Sequence, residues 1–449
     1  MTRIPTWISN GVALGLIAAV LGVIAYTNSR ARQQAPSATA APPPGVRGGP
    51  STTRDELRRT IAQMESTLRD HPTDAKAAVQ LSDALLRQAR VSGNAGLARR
   101  AEEALGRVLA DEPGQYEARR MLATVYLSEH RFRDAIREGE RAREQQPGDS
   151  WNYAVIGDGH VELGEYDAAF AAFERMMDLR PNAAAYARAA YALELRGHLA
   201  AALGAMKLAT DATSPRDVES LAWHHSQLGE LYWQMGRLTD AALEYRWADY
   251  VFPGHPFAQH GLAKVKEAAG DLAGAVAIYK ELMSSAPAPD IAAKLGELFD
   301  VLDQPADAAR YYALAEAGWR VDVPQPAMLA RFLAEHGRHL DEAVALAEGA
   351  AADRHDIFTE DALAWACFKA GRLREAAAAS AQALRLGAKD RTILYHAAAI
   401  REGMGDRGGA QRLAAQALAG HPQFDARLVP AARALLDGSH EPIRVAVAQ

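Results

Sequence analysis

Residues 222–255 read AWHHSQLGELYWQMGRLTDAALEYRWADYVFPGH, and residues 256–289 restate the pattern as PFAQHGLAKVKEAAGDLAGAVAIYKELMSSAPAP. The two align without a gap: Leu228-Gly229 on Leu262-Ala263, Gly236 on Gly270, Ala241 on Ala275, Tyr245 on Tyr279 and Pro253 on Pro287. A large apolar residue followed by a small one lets a neighbouring helix approach closely, and the alanine twelve positions later lies on that neighbour. The glycine between them ends the first helix, and the proline stops the second before the next unit. Each block of 34 residues therefore predicts two antiparallel helices.

Working outward, the same frame runs through residues 116–149 with Leu122, Ala123, Ala135 and Pro147, and through residues 150–183 with Ile156, Gly157, Gly164, Ala169, Phe173 and Pro181. It returns in residues 391–424 with Ala398, Gly405, Ala410, Ala417 and Pro422. The copy at 75–115 carries extra residues around Val91 to Ala98, read as a longer turn. Those near 183–216, 289–321 and 325–353 diverge most, although Leu295-Gly296 and Leu329-Ala330 persist. A fixed period of this length resembles the tetratricopeptide-repeat family, over roughly 370 residues. The resemblance implies an all-α fold, a right-handed superhelical solenoid of about ten units over residues 53–424. Residues 53–70 read as a lone second helix, and residues 425–438 as a helix that covers the apolar face of the last repeat. Residues 439–449 form a tail.

The first fifty residues differ in kind. After a short flank, 1–6, an uncharged and mostly apolar stretch runs from Trp7 to Tyr26, long enough at about 1.5 Å per residue to cross a hydrocarbon core of about 30 Å. Trp7 and Tyr26 mark its ends, where amphipathic rings favour the headgroups. This predicts an uncleaved transmembrane anchor over 7–29; the alternative is a cleaved secretory signal, with which Arg3 is compatible, although the first small-x-small pair, Ala38 and Ala40, lies far downstream. Residues 30–52, with five prolines and almost no large apolar groups, predict an extended tether. The flanking charges leave orientation nearly balanced, and the exported character of such stalks points the solenoid to the periplasmic or extracytoplasmic side.

Composition narrows function. The net charge of −6 offers no basic footprint for a phosphate backbone, so nucleic acid is not an expected partner. One cysteine, Cys367, excludes an internal disulfide and any multi-thiolate metal site. At the eleventh position of its unit it reads as a buried thiol. No nucleophile elbow, phosphate-binding loop or zinc-protease motif is present, and no enzyme activity, metal or cofactor is expected. The histidine pairs His224-His225, His255 with His260, and His336 with His339 lack the convergent partners a zinc site requires.

In the family, the concave wall is made by the second, fifth, ninth, twelfth and thirteenth positions of first helices. Carried over residue by residue, the resemblance places Trp151, Trp223 and Phe257 at the second position, Tyr191 and Trp365 at the ninth, Trp233 and Phe368 at the twelfth, and Tyr395 at the fifth. His260 and Lys264 join them. Aromatic anchors along a groove suit a protein or peptide partner. The ninth positions hold no asparagine, against the carboxylate-tail clamp of some family members. The plan of an anchor followed by repeats is similar to the lipopolysaccharide-assembly regulators of the family, but their cysteine-paired metal knob cannot be built here. The expected function is a membrane-anchored scaffold in envelope-associated assembly or regulation. The alternative is a small-ligand or glycan-binding protein, which a closed pocket in place of an open groove would favour.

Overall fold

The computed structural model describes residues 53–321 and 325–438. The anchor expected over 7–29, the linker expected over 30–52 and the tail expected over 439–449 lie outside the described residues. Among those described there are twenty-two α-helices and no strand, and no helix is long and apolar enough to cross a membrane.

α1 (Arg54–Asp70) starts at a capping box in which Thr53 and Glu56 satisfy one another's backbone N–H groups. Ten antiparallel pairs follow. They are α2 (Ala75–Ser92) with α3 (Gly96–Asp111), α4 (Tyr116–Ser128) with α5 (Phe132–Gln145), and α6 (Ser150–Leu163) with α7 (Tyr166–Leu179). Next come α8 (Ala183–Leu195) with α9 (Leu199–Asp211), α10 (Val218–Gln234) with α11 (Leu238–Val251), and α12 (Pro256–Ala268) with α13 (Leu272–Ser285). The last four are α14 (Pro289–Val301) with α15 (Pro305–Val321), α16 (Pro326–Glu335) with α17 (Leu340–Asp353), α18 (Ile357–Lys369) with α19 (Leu373–Ala383), and α20 (Arg391–Gly403) with α21 (Arg407–Leu418). α22 (Leu428–Asp437) closes the series and buries Val429, Ala432 and Leu435. The extra residues around Val91 to Ala98 do not make a longer turn. They lengthen α2 and α3 to 18 and 16 residues, leaving Gly93 to Ala95 between them.

In three of the pairs a glycine on the first helix faces a ring on the second, Gly157 with Phe173, Gly229 with Tyr245 and Gly296 with Tyr312. A methyl added at Gly229 of α10 would lie 2.5 Å from the Tyr245 ring of α11, and one at Gly296 of α14 would lie 2.5 Å from Tyr312 of α15. The helices are close because the side chain is missing, and the ring fills the space. Pro256, Pro289 and Pro326 open α12, α14 and α16 at the first turn, where an N–H has no intrahelical partner.

The solenoid coils tightly enough to stack on itself. The turn inside one unit meets the turn that follows the unit five places further on. Gly93 abuts the carbonyl of Pro287, Gly164 abuts His355 and Asp356, Gly197 abuts Gly387, and Gly236 abuts Gly420. Hydrogen bonds close the seam. His355 N–H donates to the Leu163 carbonyl at 3.0 Å, and Ile357 N–H to the Tyr166 hydroxyl at 2.9 Å, 191 residues away. Arg54 donates to the Gly254 carbonyl at 2.8 Å, and Arg391 to that of Gln234 at 2.6 Å. Successive turns therefore touch, and the concave wall is partly closed over, leaving half-open cavities along it.

Candidate functional site on the concave wall

The wall carries two half-open cavities. The larger, about 660 Å³, is bounded by α2, α6, α8 and α10 and by the α9–α10 turn. Trp151, Tyr191 and Trp223 reach it from the first helices of three consecutive units, with Met206 and the alanines of α8 supplying the rest of its apolar lining. Its cations are held by carboxylates. Arg188 grips Asp158, one bond at 2.9 Å, and lies over the Trp151 ring at 5.5 Å. Arg87 bonds Asp217 at 2.7 Å and Glu219 at 3.2 Å, and Arg90 bonds Glu219 at 2.8 Å. Such pairing fixes the guanidinium planes and leaves the aromatic faces as the recognition surface. At the cavity floor, burial pushes the Glu194 carboxyl up to about 7, helped by Glu230 and Asp390 and opposed by a hydrogen bond from Gln234 at 2.7 Å.

The second cavity, about 400 Å³, mixes charged side chains such as Lys264, Glu267, Lys294 and Glu297 with apolar ones such as Trp319, Met328 and Phe332. Trp233, His260 and Lys264 line it. Lys264 bonds Glu230 at 2.7 Å, joining the ninth positions of adjacent units, and sits 3.5 Å from the centre of the Trp233 ring. Burial raises the Glu230 carboxyl, but the Lys264 ammonium outweighs it and holds the group below its ordinary value. Burial pulls His260 down to about 4, so its imidazole is neutral at pH 7.

The other four expected wall residues lie elsewhere. Trp365, Phe368 and Tyr395 are buried in the largest core cluster and offer no open face. Trp365 stacks on Phe368 three residues on in α18 at 5.2 Å and on His396 of the adjacent first helix, α20, at 3.9 Å. Phe257 is 44% exposed and touches His255, lining neither cavity. The repeat register missed Arg87, Arg90 and Arg188 as members of the site, and Asp217 and Glu219 as their partners. For Arg87 and Arg90 the signal is a pair of carboxylates at a helix start four units on, and for Arg188 it is Asp158 on the first helix of the preceding unit.

Glu297, Glu335 and His336 bring potential metal ligands within 4.8 Å of one another. Arg427 already bridges the two carboxylates at 3.0 and 3.1 Å, so a guanidinium fills the cation position. Cys367 is buried, and burial pushes its thiol up to about 11.

Residues 95–154 match the family model of the tetratricopeptide repeat. No curated protein matches the chain. Among solved structures, the chain is similar to PilW, described as a widely conserved type IV pilus biogenesis factor, at 20% identity over 47% of this chain and 98% of that one, with a TM-score of 0.39. It is similar to a tetratricopeptide repeat protein from Parabacteroides merdae at 15% identity over 55% and 97%, TM-score 0.40. It is also similar to the human IFIT1 dimer with m7Gppp-AAAA, at 17% identity over 74% and 78%, TM-score 0.48. Residues 95–154 thus match the tetratricopeptide repeat, and the described residues on either side continue as paired helices, ten units in all.

Proposed function

We propose that this chain is a membrane-anchored scaffold that holds a short polypeptide segment inside its coil, with Trp151, Tyr191 and Trp223 as the anchoring surface. The observation that carries the reading is the convergence of those three rings on one cavity whose arginines are already paired. Aromatic side chains in a confined, partly desolvated pocket supply most of the energy in typical peptide interfaces. The partly closed wall favours a segment of a few residues over a folded partner. The apolar stretch from Trp7 to Tyr26 supports anchoring, and the proline-rich residues after it support an extracytoplasmic position for the solenoid.

The test is crosslinking and co-purification from native membranes with the wild-type chain and with the Trp151→Ala, Trp223→Ala double variant, checked for folding. A discrete protein captured by the first and lost from the second supports the reading; the same capture by both contradicts it. The cavity's size favours a second reading, a small-ligand or glycan site, because about 660 Å³ falls within the usual range for small-molecule pockets. Native mass spectrometry of the purified chain separates the two: a bound small molecule lost on the same substitutions would select the second.

A further inference from the structure

Residues 420–427 leave the last unit and run back across the concave wall of units far earlier in the chain. Gly420 abuts Gly236 at the seam, and His421 meets the Trp233 ring edge-on at 4.7 Å. Phe424 and Asp425 then line the second cavity. Asp425 bonds the Lys294 ammonium of α14 at 2.8 Å, the Ala426 N–H donates to Glu267 of α12 at 3.0 Å, and Arg427 bridges Glu297 of α14 and Glu335 of α16.

We infer that the wall formed by α12, α14 and α16 is a second peptide-recognition site, specific for an aspartate and, two residues later, an arginine, which the chain fills with its own Asp425 and Arg427. Three observations support this beyond a structural cap. Covering the last unit is the work of α22, through Val429, Ala432 and Leu435, and needs no contact with α12, α14 or α16. The contacts are side-chain-specific and charge-complementary, the Asp425 carboxylate meeting the Lys294 ammonium and the Arg427 guanidinium meeting the Glu297 and Glu335 carboxylates. The segment also leaves about 400 Å³ beside it, so the wall accepts a ligand bulkier than the resident one. Lifting the segment out would leave Glu267, Glu297 and Glu335 facing Lys294 and Arg331, an acidic surface that selects an incoming cation. The inference does not rest on the aromatic cavity.

The experiment uses the full chain and a fluorescein-labelled synthetic peptide of residues 421–430, HPQFDARLVP. A tethered segment has an effective concentration in the millimolar range, so the wild type is expected to bind the peptide at least tenfold more weakly than an Asp425→Ala, Arg427→Ala variant whose own segment is released. Adding Lys294→Ala to that variant, or removing the aspartate and arginine from the peptide, is expected to abolish binding. A released variant that keeps its helical content and cooperative melt yet binds no peptide overturns the inference. If the variant does not fold, hydrogen exchange of the wild type decides: peptide at several times the effective concentration is expected to speed exchange at Ala426, and unchanged exchange overturns the proposal.

Discussion

Stacking of the coil makes a quantitative prediction at two glycines with the same local geometry. Gly236 and Gly270 both follow a first helix, with φ of 73° and 82°. Alanine at either position pays the left-handed penalty, about 1–2 kcal/mol, partly offset by about 0.4–1 kcal/mol from a less flexible unfolded chain. At Gly270 a methyl meets nothing within 4 Å. At Gly236 it drives into the Gly420 carbonyl, and both neighbours are backbone, so the seam must move. Overpacking of this kind costs about 1–3 kcal/mol more. Gly270→Ala is therefore expected to cost about 1 kcal/mol and Gly236→Ala about 2–4 kcal/mol, read from urea denaturation. Small-angle scattering is expected to show an enlarged radius of gyration for Gly236→Ala alone. Equal costs within about 0.5 kcal/mol, with unchanged dimensions, would refute the stacked coil.

Other consequences concern titration and reactivity. Burial holds His224, His260, His336 and His421 near 4 and His255 near 3, so the unfolded chain binds more protons between those values and about 6.5. Stability is expected to fall as pH drops from 7 to 5, by up to about 1–2 kcal/mol per histidine, in urea titrations at each pH. Glu194 has the opposite sense, because its folded pKa lies above its unfolded one and stability is lost as pH rises through 7. Glu194→Gln keeps an acceptor for Gln234 and is expected to stabilise the fold at pH 8 by ~1–3 kcal/mol and to be near neutral at pH 4; destabilisation at pH 8 would sink this account of the cavity floor. Cys367 is expected to react with a thiol reagent only after denaturation, and prompt labelling of the native chain would contradict its burial.

The paired helices were legible because each pair is settled within 34 residues. Leu228-Gly229, Gly236 and Tyr245 encode an approach, a stop and a filling ring in one window. The seam between turns was not, because its contacts join positions such as Tyr166 and Ile357, 191 residues apart, and a short-period pattern carries no trace of them. For that reason Gly236 read only as a helix stop. The register also fixed which face Trp365 and Tyr395 take within their units, but not that neighbouring helices bury them there. Trp151, Tyr191 and Trp223 share a cavity because their three units are consecutive and the coil is tight. Residues after Phe424 read as an apolar cap, since Val429, Ala432 and Leu435 dominate the pattern. The polar start of that segment engages Lys294 and Glu335, which no local rule connects to it.

The most direct measurement is site-specific photocrosslinking in native membranes, with a photoreactive residue at Tyr191 inside the aromatic cavity and, separately, at Tyr250, which is 61% exposed and lines neither cavity. The account predicts one discrete polypeptide adduct from position 191, abolished by Trp151→Ala with Trp223→Ala, and none from position 250. Adducts from position 250 alone would put the partner outside the coil and contradict it.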